Sequence, residues 1–276
     1  MLAIMGTTIM ETTTAGAGTA GPLLREWRRR AGLSQLELAL RADSSARHIS
    51  YIETGKSRPS QEMVERLAEQ LEVPVRERNA LLVAAGYAPS YRETPMEAPG
   101  MEVLRLGLDR LLAGYEPYPA LVVDATYRIR AYNRGIAQLM EGVADHLLTP
   151  HPNAMRITLH PDGLAPRILN FLEWRGHLLD QMRRQLALLR SAPLRELYDE
   201  VSGYPLPPGG TEEVRQQSSL ALPMVIDHQG VRLSFMSAIA TFNTPVDVTV
   251  SELALETFLP ADPQTAAALH QTGTGA

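Results

Sequence analysis

The residues best suited to chemistry in this 276-residue chain fall into patterns that lack the context their chemistry needs. Gly16, Gly18 and Gly21 spell G-x-G-x-x-G, a turn that presses backbone against a pyrophosphate, but only after a strand, and METTTA is a poor strand. Gly55-Lys56-Ser57 matches the end of a phosphate-binding loop, yet Ser50 stands where that loop requires Gly. His146, His151 and His160 with Asp145 and Asp162 offer metal-type ligands, but Pro150, Pro152 and Pro161 interleave them and no helical ligand spacing occurs, so the stretch reads as a solvated loop. Neither G-x-S-x-G nor H-E-x-x-H is present. The absence of Cys excludes disulfide scaffolds, thiol nucleophiles and Cys-based zinc fingers, and fits a reducing cytoplasm. No catalytic residue and no metal or cofactor site is expected.

What remains is anion binding. Residues 22–92 hold twelve Lys and Arg against nine Asp and Glu, a net of +3, whereas the rest of the chain carries −8. A mildly basic front joined to an acidic back suits an anion-binding module attached to something else. Arg47, Lys56 and Arg58 must then be held by the elements around them, and these are helical. Pro22 opens a helix over 22–31 that Gly32 closes. Ser34 and Glu37 have capping-box spacing before a second helix over 35–42. Ser45 caps a third, with Ile49 and Ile52 inward and Ala46, Arg47, Ser50 and Tyr51 outward. A fourth starts at Pro59-Ser60, and a fifth follows Pro74 and ends at Gly86. Two short helices joined tightly inside five suit a helix-turn-helix reader of the DNA major groove.

The stretch GLSQLELALRADSSARHISYIETGKSRPS resembles the phage-repressor-like Xre family through Ser34-Gln35, Leu38-Ala39, Ile49-Ser50 and Glu53-x-Gly55. That resemblance implies double-stranded DNA as partner and assigns residues by position. Gln35 matches a phosphate contact at a helix N-terminus. Ser45, Ala46, Arg47 and Tyr51 match positions facing base edges, with Arg47 expected on guanine O6 and N7. Family members often carry Gln where this chain has Ala46, whose methyl can only pack, as against a thymine methyl. Thr54, Lys56 and Arg58 match a loop along the phosphates, and Arg28 with Glu53 matches a structural ion pair.

Behind this front the chain reads as a linker over 88–100 with three prolines, a second domain over 101–264 and a loose tail over 265–276. Residues 1–21 read as a disordered arm or as the product of an upstream start codon, so that the helix-turn-helix domain spans 22–87. No apolar run reaches the roughly 20 residues that cross a bilayer. Leu104, Leu108, Leu111 and Leu112 stripe one helix, PALVVDATYRIRAYN gives two strands, and Arg134–Met140 gives a short helix. A long helix runs from Pro166 to about Leu189, with Phe171, Trp174, Leu178 and Met182 on one stripe and Ile168, Leu172, Leu179 and Leu186 on another. A hairpin about His228-Gln229-Gly230 and a last strand over 253–259 complete five strands.

That order is PAS-like: an antiparallel five-stranded sheet with helices over one face. NFLEWRGHLL, TPVDVTVSELALETFLPAD and GYAP resemble the ligand-binding half of MmyB-like actinobacterial regulators. Strand phase places Leu121, Val123, Ile129, Phe235, Ile239, Leu253 and Leu255 inward, opposite Phe171, Trp174, Leu178 and Met182. If these leave space, the pocket is apolar and suits a fatty-acyl chain or butenolide-like molecule, its polar end met by Arg167, Arg175 or His177. The whole is therefore expected to be an all-α helix-turn-helix domain plus an α+β PAS-like domain: a transcriptional regulator binding operator DNA as a homodimer and modulated by a small-molecule effector. The alternatives are a second domain that only dimerises, or an enzyme, for which convergent acids and bases are missing.

Overall fold

Three serines each precede a helix and accept a backbone N–H in its first turn, and these caps fix the start of most of the front. In the computed structural model, which describes residues 20–189, 191–207, 222–242 and 246–273, α1 spans Ala20–Arg30, α2 Gln35–Arg41, α3 Ala46–Glu53, α4 Gln61–Gln70 and α5 Val75–Ala84. Ser34, Ser45 and Ser60 cap α2, α3 and α4, and the Ser34–Glu37 capping box is complete. Leu24, Leu38, Ile49, Ile52, Leu67, Leu81 and Leu82 form the shared core. Residues 1–19 of the expected arm lie outside the described residues, and its last two, Ala20 and Gly21, are buried in α1. Gly21 answers to packing rather than to a nucleotide: a Cβ there would stand 2.3 Å from the Ile52 carbonyl oxygen, so α1 and α3 touch backbone to backbone.

The chain divides into two units between Arg92 and Glu93. The expected linker is not loose. Tyr91 bonds Asn79 through both its backbone N–H and C=O in the first unit, while in the second Thr94 donates its hydroxyl to Asp247 and Met96 is buried.

The second unit is built on five antiparallel strands in the order β2-β1-β5-β4-β3: β1 Ala120–Val123, β2 Ile129–Tyr132, β3 Met224–His228, β4 Val231–Thr241 and β5 Ala254–Pro260. Its helices are α6 Glu102–Gly114, α7 Arg134–Leu139, α8 Asp145–Leu148, α9 Ala154–Leu159, α10 Phe171–Leu188, α11 Ala192–Ser202, α12 Val248–Ser251 and α13 Pro263–Gly273. Three buried asparagines join helix starts to neighbouring backbone. Asn133 serves α7, β1 and the end of α6, Asn153 serves α9 and the β1–β2 turn, and Asn170 ties the start of α10 to β3.

Several expectations are corrected. Helices cover both sheet faces rather than one, since Leu108 and Leu112 of α6 pack with Ala120 and Val122 opposite the larger core. The tail is not loose through 273, because α13 buries Thr265 and packs Leu269 into the larger core. The long helix begins at Phe171, after a 3₁₀ turn at Ala165–Arg167, and Leu172 of the second stripe faces solvent. The segment 145–159, expected as loop, contains α8 and α9.

Candidate functional site

On the front unit the candidate interface is the free side of α3 with the turn behind it. Ile49 and Ile52 are buried, so Arg47 and Tyr51, one helical turn apart, are carried outward together. Arg47 Nε donates to the Tyr51 hydroxyl at 3.0 Å, and its guanidinium lies 5.2 Å from the Tyr51 ring centroid. Gly55, at φ +72°, reverses the chain in the left-handed region that glycine enters without strain, and the Lys56 N–H then bonds the Tyr51 carbonyl at 2.8 Å. Lys56 Nζ thereby comes to 5.8 Å from the same ring. Two cations and a phenol thus share one exposed corner. Thr54 is exposed and donates its hydroxyl to the Ser50 carbonyl, and the Ser45 oxygen accepts the His48 N–H.

Three expected contacts are placed differently. Arg58 donates to the carbonyls of Ala85 and Gly86 and stacks over Tyr87, so it closes the end of α5 instead of standing free for a phosphate. Gln35 donates its side-chain amide to Glu53 at 2.8 Å, so that N–H is taken up inside the unit. Ala46 is half-buried against the core.

Arg28 and Glu53 form the expected ion pair, with Arg28 Nε on Oε1 at 2.6 Å and Nη2 on Oε2 at 2.9 Å, while Nη1 donates to the Leu33 carbonyl. Burial alone would raise the Glu53 carboxyl. The hydrogen bonds from Arg28 and Gln35, with the charge of Arg28, outweigh it and hold the group below the usual carboxylate range.

In the second unit a cavity of ≈ 50 Å³ lies between the sheet and α7, α9 and α10. Trp174, Leu178, Leu121 and Ile129 line it as expected. Phe171, Met182, Val123 and Phe235 belong to the packed core around it. Ile239 shares the cavity face of the sheet through its pairing with Glu256, but is 50% exposed. Leu253 and Leu255 lie on the face opposite to the expected one: they pack with Ala120 and Val122 against α6, and their neighbours Ala254, Glu256 and Phe258 turn toward the larger core. Arg175 donates to the Ser202 carbonyl, His177 stacks on the Trp174 ring at 5.4 Å, and neither lines the cavity. Arg167 is held by the carbonyls of Leu139, Glu141 and Asp227.

Sequence reasoning missed the wall contributed by α7 and α9, including Ile136, Met140, Met155 and Ile157. It also missed Glu256. That side chain keeps some accessible surface along the cavity, yet its carboxyl sits so deep among protein atoms that burial pushes its pKa up to about 7. Trp174, another lining residue, is 2% exposed, and its Nε1 is the one buried side-chain polar atom without a hydrogen-bond partner among the described residues. Elsewhere His146, His160 and Asp162 do come together on the surface, their nearest ligand atoms within 4.8 Å. His160 Nδ1 already accepts the Asp162 N–H at 3.0 Å, and His151 stands apart beside Arg128.

Residues 24–78 match the helix-turn-helix family, and residues 104–271 match the MmyB-like transcription regulator ligand binding domain. No curated protein matches the chain. Among solved structures, the restriction-modification controller protein C.AhdI from Aeromonas hydrophila is 31% identical over 22% of this chain and 94% of its own, with a TM-score of 0.22. The clp gene regulator ClgR from C. glutamicum is 28% identical over 25% of this chain and 87% of its own, at 0.23. An RNA-binding light-oxygen-voltage receptor is 12% identical over 95% of this chain and 64% of its own, at 0.30. Since the second match alone takes in more than half of the residues and a helix-turn-helix precedes it, the chain belongs to the MmyB-like transcription regulators and is a DNA-binding protein of that family.

Proposed function

We propose that the protein binds operator DNA as a homodimer through α3, and that a small apolar molecule in the cavity of the second unit modulates that binding. The observation that carries the first half is the exposed Arg47–Tyr51–Lys56 corner on a helix whose opposite side is buried. Arg47 is the base reader, on guanine, and Lys56 with the α2 N-terminus holds phosphate. One such module contacts too little DNA for high specificity, so two copies on half-sites about one helical turn apart are required. Self-association is favoured by α6, where Val103, Leu106 and Leu111 leave an apolar arc in solvent. Ligand can shift DNA binding only by preferring one dimer arrangement over another.

The cavity supports the sensing half, and its size constrains it. A drug-sized ligand needs about 300–1,000 Å³. A fatty-acyl chain would therefore have to open the space, while a compact butenolide-like molecule would displace less. The small volume also favours a second reading, in which this unit only dimerises. Native mass spectrometry of the purified protein distinguishes the two: an added mass on the dimer supports sensing, and a bare dimer supports the alternative. Electrophoretic titration of Arg47→Ala on the operator tests the DNA half, with a loss of about 1–3 kcal/mol expected.

A further inference from the structure

The prolines between His146, His160 and Asp162 break any helical ligand spacing, yet the backbone brings the three side chains together on one surface of the second unit. His160 caps the end of α9, and Asp162 follows in the turn behind it. That turn is pressed against its own helix. The Gly163 N–H bonds the His160 carbonyl at 2.9 Å, the Leu164 N–H bonds the Ile157 carbonyl at 2.8 Å, and a Cβ on Gly163 would stand 2.1 Å from the same Ile157 oxygen. Ala144, immediately before α8, donates its N–H to the Asp162 carbonyl at 3.1 Å, which fixes the start of α8 beside the turn. Leu147 and Leu159, each next in sequence to one of the histidines, are buried, so both rings project from anchored backbone.

His146 Nε2 lies 3.9 Å and His160 Nδ1 3.8 Å from one and the same Asp162 oxygen, Oδ2, and one ligand atom from each residue is within 4.8 Å of the other two. Ligands about 2.0–2.1 Å from a tetrahedral Zn²⁺ stand about 3.3 Å apart, so closure requires a shift of roughly half an ångström. The His146 and Asp162 side chains are more than half exposed and free to make it. The His160 ring is the fixed member. It meets the Tyr204 ring edge-on at 4.8 Å, the Tyr204 hydroxyl donates to Glu200, and Arg156 grips Glu200 through two bonds at 2.7 and 2.6 Å. Because the Asp162 N–H donates to His160 Nδ1 at 3.0 Å, that nitrogen presents an unprotonated lone pair on the side of Asp162.

We propose that His146, His160 and Asp162 bind one divalent transition-metal ion of the Zn²⁺ class, with water completing its coordination. Two imidazoles and a carboxylate suit Zn²⁺, Cu²⁺ or Ni²⁺, whereas Ca²⁺ and Mg²⁺ take oxygen ligands throughout. The ion takes the Nδ1 lone pair in place of the Asp162 N–H, which belongs to an exposed residue. It thereby cross-links α8 to the turn after α9, the helix whose Met155 and Ile157 line the cavity on its inner side.

The test is calorimetric titration of the EDTA-treated full chain with Zn²⁺ and, separately, with Ca²⁺. One Zn²⁺ per chain, no saturable Ca²⁺ binding, and a melting temperature that rises with Zn²⁺ and falls back with EDTA are expected. His146→Ala and Asp162→Asn, both at exposed positions, should each weaken Zn²⁺ at least about tenfold, since losing even a hydrogen-bond partner of a metal ligand costs that much. His151→Ala should leave the affinity unchanged. With Cu²⁺ as the probe, electron paramagnetic resonance should show nitrogen hyperfine coupling from two imidazoles in the wild type and from one in His146→Ala. No saturable Zn²⁺ binding, a Zn²⁺ affinity unchanged in both variants, or Ca²⁺ bound as tightly as Zn²⁺ would overturn the proposal.

Discussion

Two glutamates, one in each unit, are buried in opposite ways, and their titrations run in opposite directions. Glu53 meets Arg28 and Gln35, so its folded pKa lies below its unfolded value. The stability it contributes is present above the ordinary carboxylate range and is lost as pH falls through the folded pKa. Glu53→Ala would leave the Arg28 guanidinium buried without its partner, and urea denaturation should show a loss of about 3–5 kcal/mol. Glu256 has no hydrogen-bond or ion-pair partner among the described residues, and burial pushes its pKa up from the ordinary 4.5 to about 7. There the folded state holds the proton more tightly than the unfolded chain, so stability declines as pH rises from 4.5 through 7. Glu256→Gln should therefore be more stable than the wild type at pH 8 by about 2–3 kcal/mol, with the gap closing toward pH 4.5, as read from thermal melts. Among surface cations the contrast is in specificity. Arg47→Ala should relax preference at one base pair, whereas Lys56→Ala should weaken all sequences similarly and flatten the salt dependence by about one unit, measured by titration across salt concentrations.

At the scale of elements, the approach of α1 to α3 decides how firmly the DNA-facing helix is held. Gly21→Ala would place a methyl 2.3 Å from the Ile52 carbonyl, forcing the two helices apart. A drop in melting temperature with weakened operator binding is expected, and an unchanged protein would mean the contact is looser than drawn. Removing the Ser45 cap with Ser45→Ala should cost about 1 kcal/mol of the same unit's stability by denaturant titration. These front elements are legible in the sequence because three of the five helix starts carry a capping serine, Pro22 and Pro74 mark the other two, and the buried positions of α3 and α4 keep helical spacing. The second unit is legible where apolar residues recur at strand or helix spacing, as in β1, β2, α7, α10, the hairpin and the extent of β5. In α9 the buried residues Met155, Ile157 and Leu159 alternate by two, which carries no helical signature. In β5 leucines occupy the face toward α6 while Glu256 occupies the cavity face, so reading phase from the largest apolar residues chose the wrong side. Residues 263–273 are rich in Ala, Thr and Gln and lack an apolar stripe, and their helix depends on Asp262 accepting the Thr265 N–H and on packing against β4 and β5. Arg58 and Gln35 were identified by position along a motif, and sequence position does not reveal that a side chain already has an intramolecular partner.

At the scale of the molecule, a helix-turn-helix unit and an acidic second unit on one chain make an effector-controlled regulator only if their states are coupled. Any effector must bind one dimer arrangement more tightly than another, and a difference of about 1.4 kcal/mol between arrangements changes operator occupancy tenfold at most. The exposed apolar arc of α6 is where the second unit can favour pairing, and Leu106→Glu should shift sedimentation toward monomer while leaving the fold intact. The most direct test is selection of binding sites from a random duplex library by the purified protein at moderate salt, followed by sequencing. The account predicts an inverted repeat with half-site centres about one helical turn apart and one guanine position in each half that relaxes in Arg47→Ala. A library with no enriched sequence, or an enriched site indifferent to Arg47, would contradict it.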